Sequence, residues 1–238
     1  MKNKFNYSCE SKDINEKLEL IDHIEKKEYF RKNDLEILEC LSRDEDSEVR
    51  LRIAQILVFS NDEYTEKILV RLLDDNDELV RVNACDSLCN SSSKEVASFL
   101  INKATKDKSS LVRTYAIMSV ADIFFNITSN NKRENIKLIE NMLKREKVKR
   151  IKIGYYYALL VLGEMKYFPM LLDEINNRFY INRCSVANTI KDLTIAKMFS
   201  NKELLKIKKY FENRLKVEKS LAVKTSIENT MKTVQEYI

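Results

Sequence analysis

Three segments of this chain carry the same residues in the same frame, and no other feature constrains the fold as strongly. In residues 74–88, Asp75 is followed by Val80-Arg81, Ala84 and Leu88; in 107–120, Asp107 precedes Val112-Arg113, Ala116 and Val120 at the same spacings. Residues 44–57 repeat the frame with Asp44, Val49-Arg50, Ile53 and Leu57. Arg50, Arg81 and Arg113 stand 31 and 32 residues apart. A period of that length, with apolar residues three and four apart, gives one helical hairpin per repeat.

Each repeat also has a helical first half: Leu35, Leu38 and Leu41 in the first, Ile68, Leu69, Leu72 and Leu73 in the second, Val96, Phe99, Leu100 and Ala104 in the third. A repeat is therefore helix A, a short Asp- and Ser-rich turn, and helix B beginning near the Val-Arg pair. The turn's Asp and Ser are N-cap candidates for helix B, because their side chains can accept from its first free N–H groups. The alanine of the frame is small where helix B must approach a neighbour. Neither helix buries its apolar stripe alone, so the repeats must stack.

Composition agrees. Gly154 and Gly163 are the only glycines and Pro169 the only proline in 238 residues, far too few for the hairpins and phosphate loops of β and α/β folds. The N-terminal stretch has a basic start with no apolar segment behind it, and no run approaches the ~18 apolar residues of a spanning helix. Cys9, Cys40, Cys85, Cys89 and Cys184 are odd in number and scattered. They read as free thiols that fill core positions in a reducing, cytoplasmic setting.

The frame Asp-x-x-x-x-Val-Arg-x-x-Ala-x-x-x-Leu resembles the HEAT repeat, and the resemblance extends over about residues 33–238. It implies an all-α fold: a right-handed α-solenoid of about six antiparallel helix pairs in one continuous domain, 33–238. Residues 1–32 precede it as a tail and a capping helix at 13–28. Three later repeats depart from the pattern. The fourth, about 134–163, places Gly154 at the small position and closes on Leu162-Gly163. The fifth opens at Tyr167-Phe168-Pro169, where proline suits a first helical turn, and carries Ile181, Ser185 and Ile190. The sixth has Leu204, Leu205, Ile207 and Phe211, then Val223-Lys224, Ile227 and Met231, with lysine in place of arginine. The resemblance also implies a ladder inside the stack, Asp44, Asp75 and Asp107 paired with Arg50, Arg81 and Arg113 of adjacent repeats.

Groups that do chemistry are sparse. His23 is the one histidine and stands in the capping helix without a nucleophile or carboxylate constellation. Cys85 and Cys89, four apart on one helix, offer two ligands of an incomplete metal site and read as core filling. Asp74-Asp75-Asn76-Asp77 begins like a calcium loop but lacks the later Gly and Glu. No nucleotide-loop, hydrolase or zinc-protease motif occurs. The expectation is a protein that is not an enzyme and uses no metal or cofactor.

Charge is divided unevenly. Residues 1–129 hold 19 basic and 25 acidic side chains, and residues 130–238 hold 23 and 12, net −6 against +11. The densest basic patch contains Lys147, Lys149, Arg150 and Lys152, and Tyr155, Tyr156 and Tyr157 follow it. Lysine-rich helices are commonly just solvated faces, and the alternative is a surface for an acidic partner. In proteins that the frame resembles, the B helices line a concave binding face. Its outward positions here are Gln55, Val82, Asp86, Thr114 and Met118, then Lys152, Tyr156 and Arg183. The expected function is a non-catalytic protein-interaction module, a scaffold, adaptor or immunity-type inhibitor, with no membrane contact. The alternative is nucleic-acid binding through the basic C-terminal half, remotely similar to HEAT-like DNA glycosylases, whose groove tryptophans this Trp-free chain lacks. HEAT-like lyases acting on bilin chromophores share the repeat type without a matching residue here. The sequence leaves the oligomeric state open.

Overall fold

The structure is a computed structural model that describes residues 11–27, 29–60, 62–127 and 131–238. Residues 1–10, with Cys9, and Glu28 lie outside the described residues. Every regular element among the described residues is helical. Contacts divide the chain into two compact units, Met1–Ile127 and Thr128–Ile238.

The N-terminal unit holds α1 (Ile14–Glu25), then the pairs α2 (Lys32–Leu41) and α3 (Ser47–Ile56), α4 (Glu63–Leu72) and α5 (Glu78–Ser87), α6 (Lys94–Lys106) and α7 (Ser110–Asn126). The helix starts are written in the sequence. Asp46, Asp77 and Ser109 precede α3, α5 and α7 and accept hydrogen bonds from N–H groups of the first turn, replacing water on donors the helix itself leaves unsatisfied. Counting from these caps, the frame residues fall at the third, seventh and eleventh places of each B helix. Val49, Ile53, Leu57, Val80, Ala84, Leu88, Val112, Ala116 and Val120 are all buried. Fully burying each larger one is worth roughly 1.5–3 kcal/mol, so the B helices α3, α5 and α7 pack against one another in succession. Close approach there is fixed by a hydrogen bond: the buried Ser87 hydroxyl donates to the Ala54 carbonyl at 2.7 Å.

The C-terminal unit holds α8 (Lys132–Arg145) with α9 (Lys149–Val161), α10 (Phe168–Asp173) with α11 (Tyr180–Ile195), and α12 (Asn201–Val217) with α13 (Leu221–Glu236). Pro169 lies in the first turn of α10. That helix is only six residues long and is extended by 3-10 turns at Met165–Tyr167 and Glu174–Asn176. Gly163, at φ 90°, ends α9: Glu164 N–H reaches the Leu159 carbonyl at 2.8 Å and Gly163 N–H the Leu160 carbonyl at 2.9 Å. This left-handed cap costs glycine nothing. The hydroxyl contact recurs, with Thr230 of α13 donating to the Ala187 carbonyl of α11 at 2.9 Å.

Two details of the expected frame are corrected. The fourth repeat's register is set by Val148 before α9, which puts Ile151, Tyr155 and Leu159 in the buried frame; Tyr155, not Gly154, holds the place expected to be small. In the fifth, Phe179 precedes α11, so Asn182, Arg183, Val186 and Ile190 form the frame and all are buried. Ile181 is exposed. A one-residue slip on a helix rotates every side chain by about 100°, which is why the slip matters for the surface.

Candidate interaction surfaces

Two arginines of the frame, Arg50 and Arg81, bridge adjacent repeats. Arg50 donates from Nε and Nη2 to the two Asp75 carboxylate oxygens at 2.7 and 2.8 Å, and from Nη1 to the Asp44 carbonyl at 2.8 Å. Arg81 repeats this on Asp107, at 3.0 and 3.2 Å, and on the Asp75 carbonyl. Each aspartate also accepts from the N–H two residues on, Asp77 and Ser109. One carboxylate therefore closes its own turn and clamps the preceding repeat. Burial works to raise the pKa of both aspartates, but Arg50 with the Asp77 N–H at Asp75, and the Ser109 N–H with Arg81 at Asp107, outweigh it and hold both below the usual carboxylate range. Arg113 Nη1 donates to the Asp107 carbonyl of its own turn at 2.7 Å.

The ladder extends beyond the arginines that the frame picked out. Asp13 caps α1, and Lys17, four residues on, pairs with Asp44 at 2.5 Å. Lys17 thus stands four places after its helix cap and pairs with Asp44, as Arg50 does with Asp75. In the C-terminal unit Arg183 donates to both Glu218 oxygens at 2.7 and 2.8 Å and to the Asn177 carbonyl at 2.7 Å. Burial opposes ionisation of Glu218, but Arg183, the Ser220 N–H and Arg214 hold its pKa at about 2. Arg183 is therefore not an exposed groove residue. The period gives the signal: Arg183 lies 31 residues after Lys152, and both sit four places after their helix cap.

The expected B-helix positions of the N-terminal unit share one register. Gln55, Asp86 and Met118 are the ninth residues from Asp46, Asp77 and Ser109, so they form a row across α3, α5 and α7. Gln55 and Met118 are half-buried and Asp86 is exposed; Val82, four places earlier on α5, is buried, and Thr114 is half-buried with its hydroxyl on the Ser110 carbonyl. Asp86 is open to solvent yet hemmed in by protein, and the loss of water pushes its carboxyl pKa up. No cation pairs with it among the described residues. Burial drives the neighbouring Cys89 thiol up to about 12, with the Asp122 and Asp86 charges adding to the effect, and burial also raises Cys85.

In the C-terminal unit Lys147 and Lys149 are exposed, and Arg150 and Lys152 are half-buried. Lys152 occupies the ladder place of α9. Tyr156 is half-buried and stacks on Tyr167 with ring centroids 6.1 Å apart, so it belongs to the packing between α9 and the turn that follows. His23 is exposed in the last turn of α1. The Asp74–Asp77 turn has its carboxylates engaged: Asp74 with Lys103, Asp75 with Arg50, Asp77 as the cap of α5.

Residues 35–121 match the family described as HEAT repeats. That part of the chain is built of HEAT repeats. The match begins in α2 and ends in α7, so it covers the three HEAT repeats in which the Asp, Val-Arg and small residues all recur. Among solved structures the chain is similar, at 16% identity and a TM-score of 0.57, to a chain from the complex of CpcE and CpcF of phycocyanin lyase from Nostoc sp. PCC7120. The similarity covers 97% of this chain and 93% of that one, and it shows a shared helical-repeat fold along the whole chain. The chain is also similar to an engineered protein at 13% identity and a TM-score of 0.37, over 98% of this chain and 96% of that one. No curated protein matches the sequence. None of the described helices is long and apolar enough to cross a membrane.

Past the HEAT repeats the turns change character. Val148 and Phe179 stand where Asp46, Asp77 and Ser109 cap the earlier B helices, and neither makes a side-chain cap. Ser220 restores the cap before α13.

Proposed function

We propose that the chain is a non-catalytic protein-interaction module, of adaptor or immunity-type inhibitor class, that works in a reducing, cytoplasmic setting. It grips a protein partner with the B-helix row of its N-terminal unit. The observation that carries this reading is Asp86, an exposed carboxylate with a raised pKa, no paired cation among the described residues, and Gln55 and Met118 in register on either side. Such a charge costs the free protein stability and is relieved by a lysine or arginine brought by a partner. Met118 supplies a polarisable apolar contact and Gln55 a donor and an acceptor. The ladder leaves the frame arginines Arg50 and Arg81 engaged inside the stack, so they are not offered to a ligand.

Thiols driven up by burial at Cys85 and Cys89 accord with the non-catalytic part of the reading. The CpcE–CpcF structure is an assembly of two chains, which accords with a protein partner for this fold. The test is capture from a lysate of the source cell on the intact chain, with and without nuclease. A stoichiometric protein that survives nuclease supports the proposal; recovery of nucleic acid alone contradicts it.

A further inference from the structure

The three B helices of the C-terminal unit, α9, α11 and α13, pack in succession, so the turns that open them share one edge. At the place just before each helix cap stand Lys147, Arg178 and Lys219, all exposed. None of the three has an ion-pair partner among the described residues. The corresponding places before α3, α5 and α7 are Glu45, Asn76 and Lys108, with Lys12 before α1, so an unbroken row of cations is not a demand of the repeat. Neighbouring helices lie roughly 10 Å apart, which spaces the cations at about that interval. Lys149 and Arg150 add charge at the α9 end. The acids of these turns offset little of it: Glu218 is buried against Arg183 and Arg214, Glu146 accepts from the Val148 N–H and Glu174 from Asn177. Asp173 is the exposed acid beside Lys149 and Arg178.

The same edge exposes flat apolar groups. Phe179 and Tyr180 are about half exposed, and the Arg178 guanidinium lies 4.4 Å from the Phe179 ring centroid. The Arg178–Phe179 contact sets a cation and a ring together on this edge, with Tyr180 exposed beside them. A row of exposed cations with two exposed rings beside its middle member matches a polymer that carries both phosphates and stackable faces.

We infer that this edge binds single-stranded nucleic acid, Lys147, Arg178 and Lys219 meeting phosphates and Phe179 and Tyr180 stacking on unpaired bases. Duplex offers no free base face for the rings, so it binds less tightly. An acidic protein segment would use the cations but would not depend on the rings. This surface is independent of the protein-binding row of the N-terminal unit.

The experiment uses the full chain and a fluorescein-labelled oligothymidylate of about 20 nucleotides, with a hairpin duplex as comparison and poly-glutamate as competitor, read by anisotropy. The expected result is preference for the single strand, with affinity falling steeply as salt rises. A Lys147→Glu, Arg178→Glu, Lys219→Glu variant loses at least about ten-fold and flattens the salt slope by about 2. Phe179→Ala loses roughly 5- to 100-fold for the single strand. These positions are exposed, so unchanged helical circular dichroism certifies the fold of each variant. Three results would overturn the inference: no binding at low salt, equal binding by the charge-reversed variant, or binding that Phe179→Ala leaves untouched while poly-glutamate competes fully. The last would assign the edge to an acidic protein.

Discussion

Arg183 and Glu218 form a two-pronged ion pair across 35 residues, at 2.7 and 2.8 Å, in the same role as Arg50 with Asp75. Glu218 is the deeper of the pair, with its side chain 1% exposed, and it also accepts from the Ser220 N–H and Arg214. Removing one member of such a pair strands a buried charge, whereas an exposed pair costs little to lose. Arg214 and the Ser220 N–H still hold Glu218 when Arg183 is lost, so Arg183→Met should lower the stability of the fold by about 2 kcal/mol, less than a fully stranded charge would cost, read as a lower urea midpoint at unchanged slope. Arg183→Lys should recover only part, because an ammonium cannot reproduce the fork.

Acid should unfold the protein in a window set by the ladder. Glu218 ionises in the folded protein near 2, below its ordinary 4.5, and Asp75 and Asp107 are shifted the same way. A depressed pKa contributes stability that is fully present above the ordinary value and is lost as pH falls towards the folded value. Thermal midpoints should be flat above about pH 5 and fall between pH 4.5 and 2. Glu218→Gln should flatten part of that fall.

Lys197 ends α11 at φ 57°, with Lys197 N–H on the Thr194 carbonyl and Met198 N–H on the Leu193 carbonyl. This is the left-handed cap that Gly163 supplies to α9, made by a residue with a Cβ. Lys197→Gly should stabilise the protein by about 0.5–1 kcal/mol, a rise of roughly 1–4 °C in Tm.

Thr230 is fully buried, and its hydroxyl ties α13 to the Ala187 carbonyl. Thr230→Val keeps the shape and orphans that contact, so a loss of about 1–2 kcal/mol is expected from chemical denaturation. Ser87→Ala should act likewise at the Ala54 carbonyl, with a small cavity added.

The helical hairpins, their caps and the buried frame of the first three repeats were legible because Asp, Val-Arg and small residues recur there at one spacing. The sixth was legible from Val223-Lys224 and Ile227 despite its lysine. The fourth and fifth registers were misread by one residue. Val148 and Phe179 carry no capping chemistry, so the start of helix B had no signature, and Gly154 and Ser185 mimicked the small position. That slip turned Arg183, a ladder residue, into an expected surface residue, and hid Glu218, a longer acid in the aspartate's place. Lys17 was hidden because a lysine stands where the frame has arginine, and the Asp13-to-Lys17 spacing alone shows no period. Exposure on Asp86 was readable from the frame, but its want of a cation was not, since that depends on side chains of other helices.

The most direct test of the central claim is the yield of the captured protein partner on wild-type chain against Asp86→Lys, after nuclease and at matched loading. Reversing this exposed charge should leave the fold intact, and the account predicts a loss of about 2 kcal/mol in binding, roughly 30-fold in Kd. Equal capture by Asp86→Lys, with normal folding, would contradict the assignment of the B-helix row as the binding face.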